Sequence, residues 1–309
     1  MKRKSKIFIA GHNGLVGSAI IRYLKSNDNY LDIITRNRSE LDLTNQNAVD
    51  LFFKSERPEY IILAAAKVGG IIANSTYQGD FIRDNLLIQT NVIDAAKRYG
   101  CKKFCFLGSS CIYPKFAPQP LKEEYLLTGQ LESSNIAYAV AKIAGVQMIR
   151  AYREQFNFPG YSLMPTNMYG YNDNFDLKTS HVLPALIRKF HEAKLNNDKN
   201  VVIWGANGVA RREFMFVDDF AEIIIKTLYI DNIPDLMNIG SGVDMSINEL
   251  AILIKDVIKY DGNIIYDASK PDGTPQKLLD VSKMNSYNLY TKTDLRTGID
   301  LTYKWFSKT

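Results

Sequence analysis

Tyr138 and Lys142 stand four residues apart in Tyr138-Ala139-Val140-Ala141-Lys142. On a helix that spacing puts both side chains on one face, one turn apart. A Lys cation close to a phenol favours the phenolate and lowers its pKa toward working pH. Upstream, Gly108-Ser109-Ser110-Cys111-Ile112-Tyr113-Pro114 closes an apolar run. A serine hydroxyl and a tyrosine at such a site can jointly hold a carbonyl oxygen and move its proton. Tyr-x-x-x-Lys recurs by chance, so the weight falls on its combination with a third motif, Gly11-His12-Asn13-Gly14-Leu15-Val16-Gly17. Glycines there permit a tight turn and let backbone amides approach a pyrophosphate at a helix N-terminus.

These residues need elements to position them. Apolar, β-branched runs predict strands over 6–10, 31–35, 60–65, 103–107 and 161–164. Helical patterns alternate with them over 16–25, 44–54, 81–99 and 138–156, with Thr44 as candidate N-cap of the second and Gly100 ending the third. Such alternation predicts an α/β fold, a doubly wound parallel Rossmann sheet. Beyond Gly170 the rhythm loosens. Loops are expected at 172–178, 206–212 and 269–276, with helices at 182–193 and 247–259 and strands at 201–204 and 264–266. The expectation is a second, smaller α/β lobe for substrate, formed by 171–212 and 241–309. Residues 1–170 and about 213–240 would form the dinucleotide domain.

The end of the second strand reads Thr35-Arg36-Asn37-Arg38. An NAD site wants a carboxylate there for the ribose hydroxyls. Two guanidiniums stand instead, where they can pair with a 2′-phosphate, so the expected cofactor is NADPH/NADP+. Asp42, with Leu43 beside it, is placed near the adenine. Ala64, Ala65 and Ala66 close the third strand with side chains small enough to leave room for the cofactor.

Composition sets bounds. The 309 residues are 46% apolar and 23% charged, which argues against a disordered chain and suits one or two globular domains. A net charge of +5 is too weak to indicate nucleic acid but suits anionic small ligands. No run approaches the roughly 20 apolar residues of a membrane helix. Cys101, Cys105 and Cys111 cannot pair completely and form no CxxC, so free thiols in a reducing compartment are expected. The short apolar stretch 7–10 behind the basic start is no signal peptide, and a cytoplasmic location follows. No metal, nucleic-acid or membrane partner is expected.

At this point the chain resembles the extended short-chain dehydrogenase/reductases, and among them the GDP-L-fucose synthase family, over essentially its full length. The resemblance rests on Leu63-Ala64-Ala65-Ala66-Lys67-Val68-Gly69-Gly70-Ile71, Gly108-Ser109-Ser110-Cys111-Ile112-Tyr113-Pro114-Lys115 and Ala141-Lys142-Ile143-Ala144-Gly145. It continues in Met164-Pro165-Thr166-Asn167, Asp173-Asn174-Phe175, Ser180-His181-Val182, Arg212-Glu213-Phe214 and 267–275. It implies a GDP-linked 4-keto-6-deoxy sugar as substrate, NADPH as reductant and a homodimer built on the helices 81–99 and 138–156. It implies Cys111 and His181 as the acid/base pair for inversion at C3 and C5, and Ser109 and Tyr138 as the holders of the enolate oxygen. Tyr138, Lys142, Pro165, Asn167 and His181 would also touch the cofactor. Ser110, Val182, Lys189, Trp204, Arg212, Lys270 and Asp272 join Ser109, Cys111 and Asn167 around the substrate.

The chain departs from the family pattern at Asn13 in the glycine loop, Ile136-Ala137 before the Tyr, Tyr171-Asn172, Lys189 and Gln276. These departures bear on which sugar is bound more than on the reaction class. The alternative is C4 reduction, without epimerisation, of a related GDP-6-deoxy-4-keto-heptose. A non-catalytic dinucleotide sensor would have no use for the Ser–Tyr–Lys set.

Overall fold

A computed structural model describes residues 4–27, 31–205, 207–269 and 274–308. Six parallel strands form the central sheet, in the order Leu31–Ile34, Ser5–Ala10, Tyr60–Leu63, Lys103–Leu107, Gly160–Pro165 and Leu236–Ile239. Alternate side chains point to opposite faces, and both faces are buried, so these strands read as unbroken apolar runs. Phe8, Ile61, Phe104 and Phe106 pack against the helices Gln46–Glu56, Gln78–Tyr99 and Ile136–Phe156. Ile7, Ile9, Ile62, Cys105 and Leu163 face the other way, onto Leu15–Asn27 and Val217–Thr227. The doubly wound sheet expected from the alternation is present.

Strand order reverses beside Ser5–Ala10. In such sheets ligands bind at this point, beyond the carboxyl ends of the strands. The Ala64 amide donates to Ala10 O there, at 3.0 Å.

A second apolar cluster gathers the helices Val182–Asn196, Ile247–Ile258 and Leu295–Phe306 around Ile203, Phe214 and Phe216. Asn200–Trp204 pairs in parallel with Asn263–Asp267. The segment beyond 241 divides: Met284 and Leu289 bury with the core under the large sheet, not with this cluster.

Two local expectations change. Asn45, not Thr44, caps the helix Gln46–Glu56, its side chain accepting from the Ala48 amide at 3.1 Å. Thr44 is instead bonded to Asp42. Arg211 and Arg212, expected in a loop, open the strand Arg211–Phe216, which pairs with Asp244–Ser246 and with Gln276–Lys277. Its first half, Arg211-Arg212-Glu213, is polar and shows no apolar alternation, which conceals where the strand begins. Among the described residues no helix is long and apolar enough to cross a membrane.

Candidate active site

The glycine loop explains its own residue types. Gly11 has φ +88°, and a Cβ on it would sit 2.7 Å from the Ala65 amide nitrogen. A Cβ at Gly17 would overlap the Gly11 carbonyl oxygen. Both glycines are required by close backbone approach, and together with Ala64 and Ala65 they shape a cradle that side chains would fill. Gly14 N donates to Gly11 O at 3.1 Å, and the helix Leu15–Asn27, with Leu15 and Val16 in its first turn, starts directly behind. Asn13 ties the loop to the end of the second strand through Asn37, at 2.8 Å.

The two arginines expected at a 2′-phosphate differ. Arg36 pairs with Glu56 at 2.7 Å and stacks over Phe52. Arg38 is exposed and lies close enough to Asp42 to help hold that carboxylate below its usual range. The larger cause at Asp42 is hydrogen bonding to the amide and hydroxyl of Thr44. The Oδ1 of Asp42 therefore shapes the turn into Leu43, which leaves only its Oδ2 for the adenine expected there.

Past the fourth strand the backbone makes a short turn, Ser110–Ile112, capped by Ser109, whose Oγ accepts from the Cys111 amide at 3.2 Å. That turn brings Ser109 and Cys111 to the same place. Ser110 is buried beneath. Tyr138 enters from the first turn of Ile136–Phe156, with Lys142 one turn on. Burial drives the Tyr138 phenol up, the charge of Cys111 adds to this, and Ser109 opposes it.

Lys142 corrects an expectation. It is 3% exposed, and burial pushes its amine down to about 7. Its Nζ donates to Leu107 O at 2.7 Å and lies 5.7 Å from the Tyr138 ring centre. Lys142 therefore does not lower the phenol here, because desolvation removes much of its charge and its hydrogen bond goes to a backbone carbonyl.

Cys111 differs from the other two thiols. Burial pushes Cys101 and Cys105 up to about 12. Burial acts on Cys111 too, but Lys277, Ser109 and Arg212 outweigh it and hold the thiol below its ordinary value. Lys277 Nζ lies 3.5 Å from Sγ, and Asn135 Nδ2 donates to Sγ at 3.1 Å. Neither residue was expected at the site from sequence. Lys277 sits on a two-residue strand beside Pro275, and no spacing ties it to position 111.

His181 precedes the helix Val182–Asn196 at its N-cap, with no side-chain capping bond. It is exposed, yet crowding protein and the Lys277 charge hold its imidazole below the ordinary value. Lys277 thus faces both proposed acid/base residues. Asn167, next after Pro165-Thr166, is held by a 2.8 Å bond from its Nδ2 to Glu213 O. Lys189 donates to Val202 O at 2.9 Å and lies over the Trp204 ring, while Trp204 is 37% exposed. Arg212 stands in register with Lys277. Lys270 and Asp272 lie outside the described residues.

The profile of the NAD dependent epimerase/dehydratase family matches residues 7–240, and the chain belongs to that family. It is 53% identical over 306 residues to "Putative GDP-L-fucose synthase 2" of Arabidopsis thaliana, covering 99% of this chain and 93% of that protein. The fold superimposes with a TM-score of 0.93 on a GDP-6-OMe-4-keto-L-xylo-heptose reductase from C. jejuni, at 38% identity, covering 100% of this chain and 99% of that one. It also matches a GDP-L-fucose synthetase from Naegleria fowleri bound to NADP, with a TM-score of 0.92 and 28% identity, covering 100% and 95%.

Proposed function

We propose that this chain is an NADPH-dependent epimerase–reductase that converts GDP-4-keto-6-deoxy-mannose to GDP-L-fucose. The observation that carries the reading is a thiol, Cys111, set beside the Ser109–Tyr138 pair, with Lys277 Nζ 3.5 Å and Asn135 Nδ2 3.1 Å from its Sγ. Kinship with GDP-L-fucose synthases supports it. The glycine cradle, Ala64–Ala66 and Arg38 would hold NADPH, which when bound supplies hydride.

A C4 ketone acidifies the hydrogens on C3 and C5, since the carbanion is an enolate. Cys111 as thiolate removes such a proton, and His181 returns one on the opposite face. Ser109 and Tyr138 donate to the enolate oxygen, a site for developing charge. After inversion, Tyr138 protonates O4 as the ketone is reduced. Arg212 and Lys189 supply positive charge for the GDP pyrophosphate, and Trp204 offers a face for guanine.

In this reading, 1–170 and 213–240 hold the dinucleotide and 171–212 and 241–309 the nucleotide-sugar. Exposed Ile136, Val140 and Phe156 on the Ile136–Phe156 helix suit a homodimer, and free thiols suit the cytoplasm.

A second reading, C4 reduction of a GDP-linked keto-heptose without epimerisation, is favoured by the match to the heptose reductase. Incubation with GDP-4-keto-6-deoxy-mannose and NADPH in deuterated water separates the two. Deuterium at C3 and C5 of the product supports the first; reduction without it, with faster turnover of the heptose, supports the second.

A further inference from the structure

Cys111 lies between two polar groups supplied from distant parts of the chain. Asn135, immediately before the Ile136–Phe156 helix, donates its amide to Sγ at 3.1 Å. Lys277, from the pair Gln276–Lys277, brings its ammonium to 3.5 Å. That pair runs parallel to Arg211–Arg212, and the pairing sets Lys277 at the thiol.

The Asn135 side chain carries a second signal. Its Oδ1 is buried and has no hydrogen-bond partner. Leaving a buried carbonyl unpaired forfeits its hydration with nothing in return, so such an atom calls for an explanation. An amide directed at sulfur can donate through Nδ2 to a thiolate or, turned over, accept through Oδ1 from an S–H. One side chain can therefore serve both protonation states of a group that gains and loses a proton.

We propose that Lys277 and Asn135 are positioning residues that clamp Cys111 as a thiolate, Lys277 by its charge and Asn135 by its amide. The role of that thiolate in drawing protons from the sugar rests on the function proposed above; the clamp itself does not. The remaining charged groups around the thiol leave Lys277 as the principal cation. Arg212 adds a smaller effect from the neighbouring strand. Glu132 and Lys115, on the loop side, pair with each other at 2.9 Å. Tyr138 is driven toward its neutral form by burial and by the Cys111 charge. His181, though exposed, is held low by the protein crowding its ring and by Lys277 itself.

The test is alkylation of the full-length protein by iodoacetamide across a pH series, read at the Cys111 peptide by mass spectrometry. Cys105 reports folding, because it is fully buried and its thiol is pushed up to about 12, so it stays protonated and shielded until the chain opens. Lys277→Met and Lys277→Gln should raise the pH midpoint of Cys111 alkylation by about 1–3 pH units, the range that an opposite charge within roughly 4–6 Å produces. Lys277→Arg should restore most of the lost ground, and Asn135→Ala should move the midpoint upward by less. In parallel, hydrogen exchange of the keto-sugar in deuterated water, at fixed pH, should fall about tenfold for every pH unit that the midpoint rises. A midpoint in folded Lys277→Met and Lys277→Gln that overlays the unmodified protein overturns the clamp. A raised midpoint in a protein that exchanges no sugar hydrogens upholds the clamp and refutes the epimerase reading.

Discussion

Replacing Lys142 by Met should make the protein more stable near neutral pH while removing its activity. The amine is 3% exposed and its pKa falls from an ordinary 10.5 to about 7. Between those values the unfolded chain binds more protons than the folded one, so stability rises with pH across that window. At 1.36 kcal/mol per pH unit, the fall from 10.5 to about 7 is a penalty on the order of 4–5 kcal/mol, fully present below pH 7 and gone above about 10.5. Methionine has nearly the same length and carries no charge to desolvate. Against this gain stands Leu107 O, which loses the 2.7 Å bond from Nζ and costs about 1–3 kcal/mol if left unpaired. The net expectation at pH 7 is a gain of roughly 1–3 kcal/mol. The sharper quantity is the pH dependence. Urea unfolding of both proteins at pH 7 and pH 10 should show the unmodified chain gaining about 3 kcal/mol over Lys142→Met between the two. A difference between the proteins that is the same at both pH values would refute a buried, discharged lysine.

Four further outcomes follow from the site. Tyr138→Phe should lower kcat for reduction by about 10²–10⁴ while changing the NADPH Kd far less, since the ring stays and the proton-donating hydroxyl is removed; steady-state kinetics and fluorescence titration measure the two. Arg38→Ala should cut the preference for NADPH over NADH by roughly 10–100-fold, as expected for losing charge-assisted bonds to a phosphate. Arg36→Ala should cut it less but lower Tm, because Arg36 is held by Glu56 and Phe52; the ratio of kcat/KM values on the two cofactors decides. Gly17→Ala should weaken NADPH binding at least about tenfold, since its methyl would overlap the Gly11 carbonyl and open the cradle; an unchanged Kd would count against that packing.

Much of the scaffold was legible because its causes are local. Strands that bury both faces read as apolar runs, and Gly11 and Gly17 are demanded by contacts within a few residues or across one strand. Ser109, Cys111, Tyr138 and Lys142 were legible as types, since each lies at a strand end or near the start of a helix. What escaped was set by long-range pairing. Lys277 reaches Cys111 only because a two-residue strand aligns with Arg211–Arg212, and the polar side chains there show no period. Glu56 captures Arg36 from twenty residues away, which no strand-end motif announces. Lys142 kept its place, but its protonation depends on burial, which no local spacing reveals. Asn45 displaced Thr44 as cap by one position, because Thr44 is already committed to Asp42.

The central claim is that Cys111 takes protons from the sugar before the ketone is reduced. NMR of the product formed with NADPH in deuterated water, from the unmodified enzyme and from Cys111→Ala, measures it directly. The unmodified enzyme should give deuterium at C3 and C5 with both centres inverted, and Cys111→Ala a product reduced at C4 with neither. Deuterium incorporation that persists in Cys111→Ala would contradict the claim.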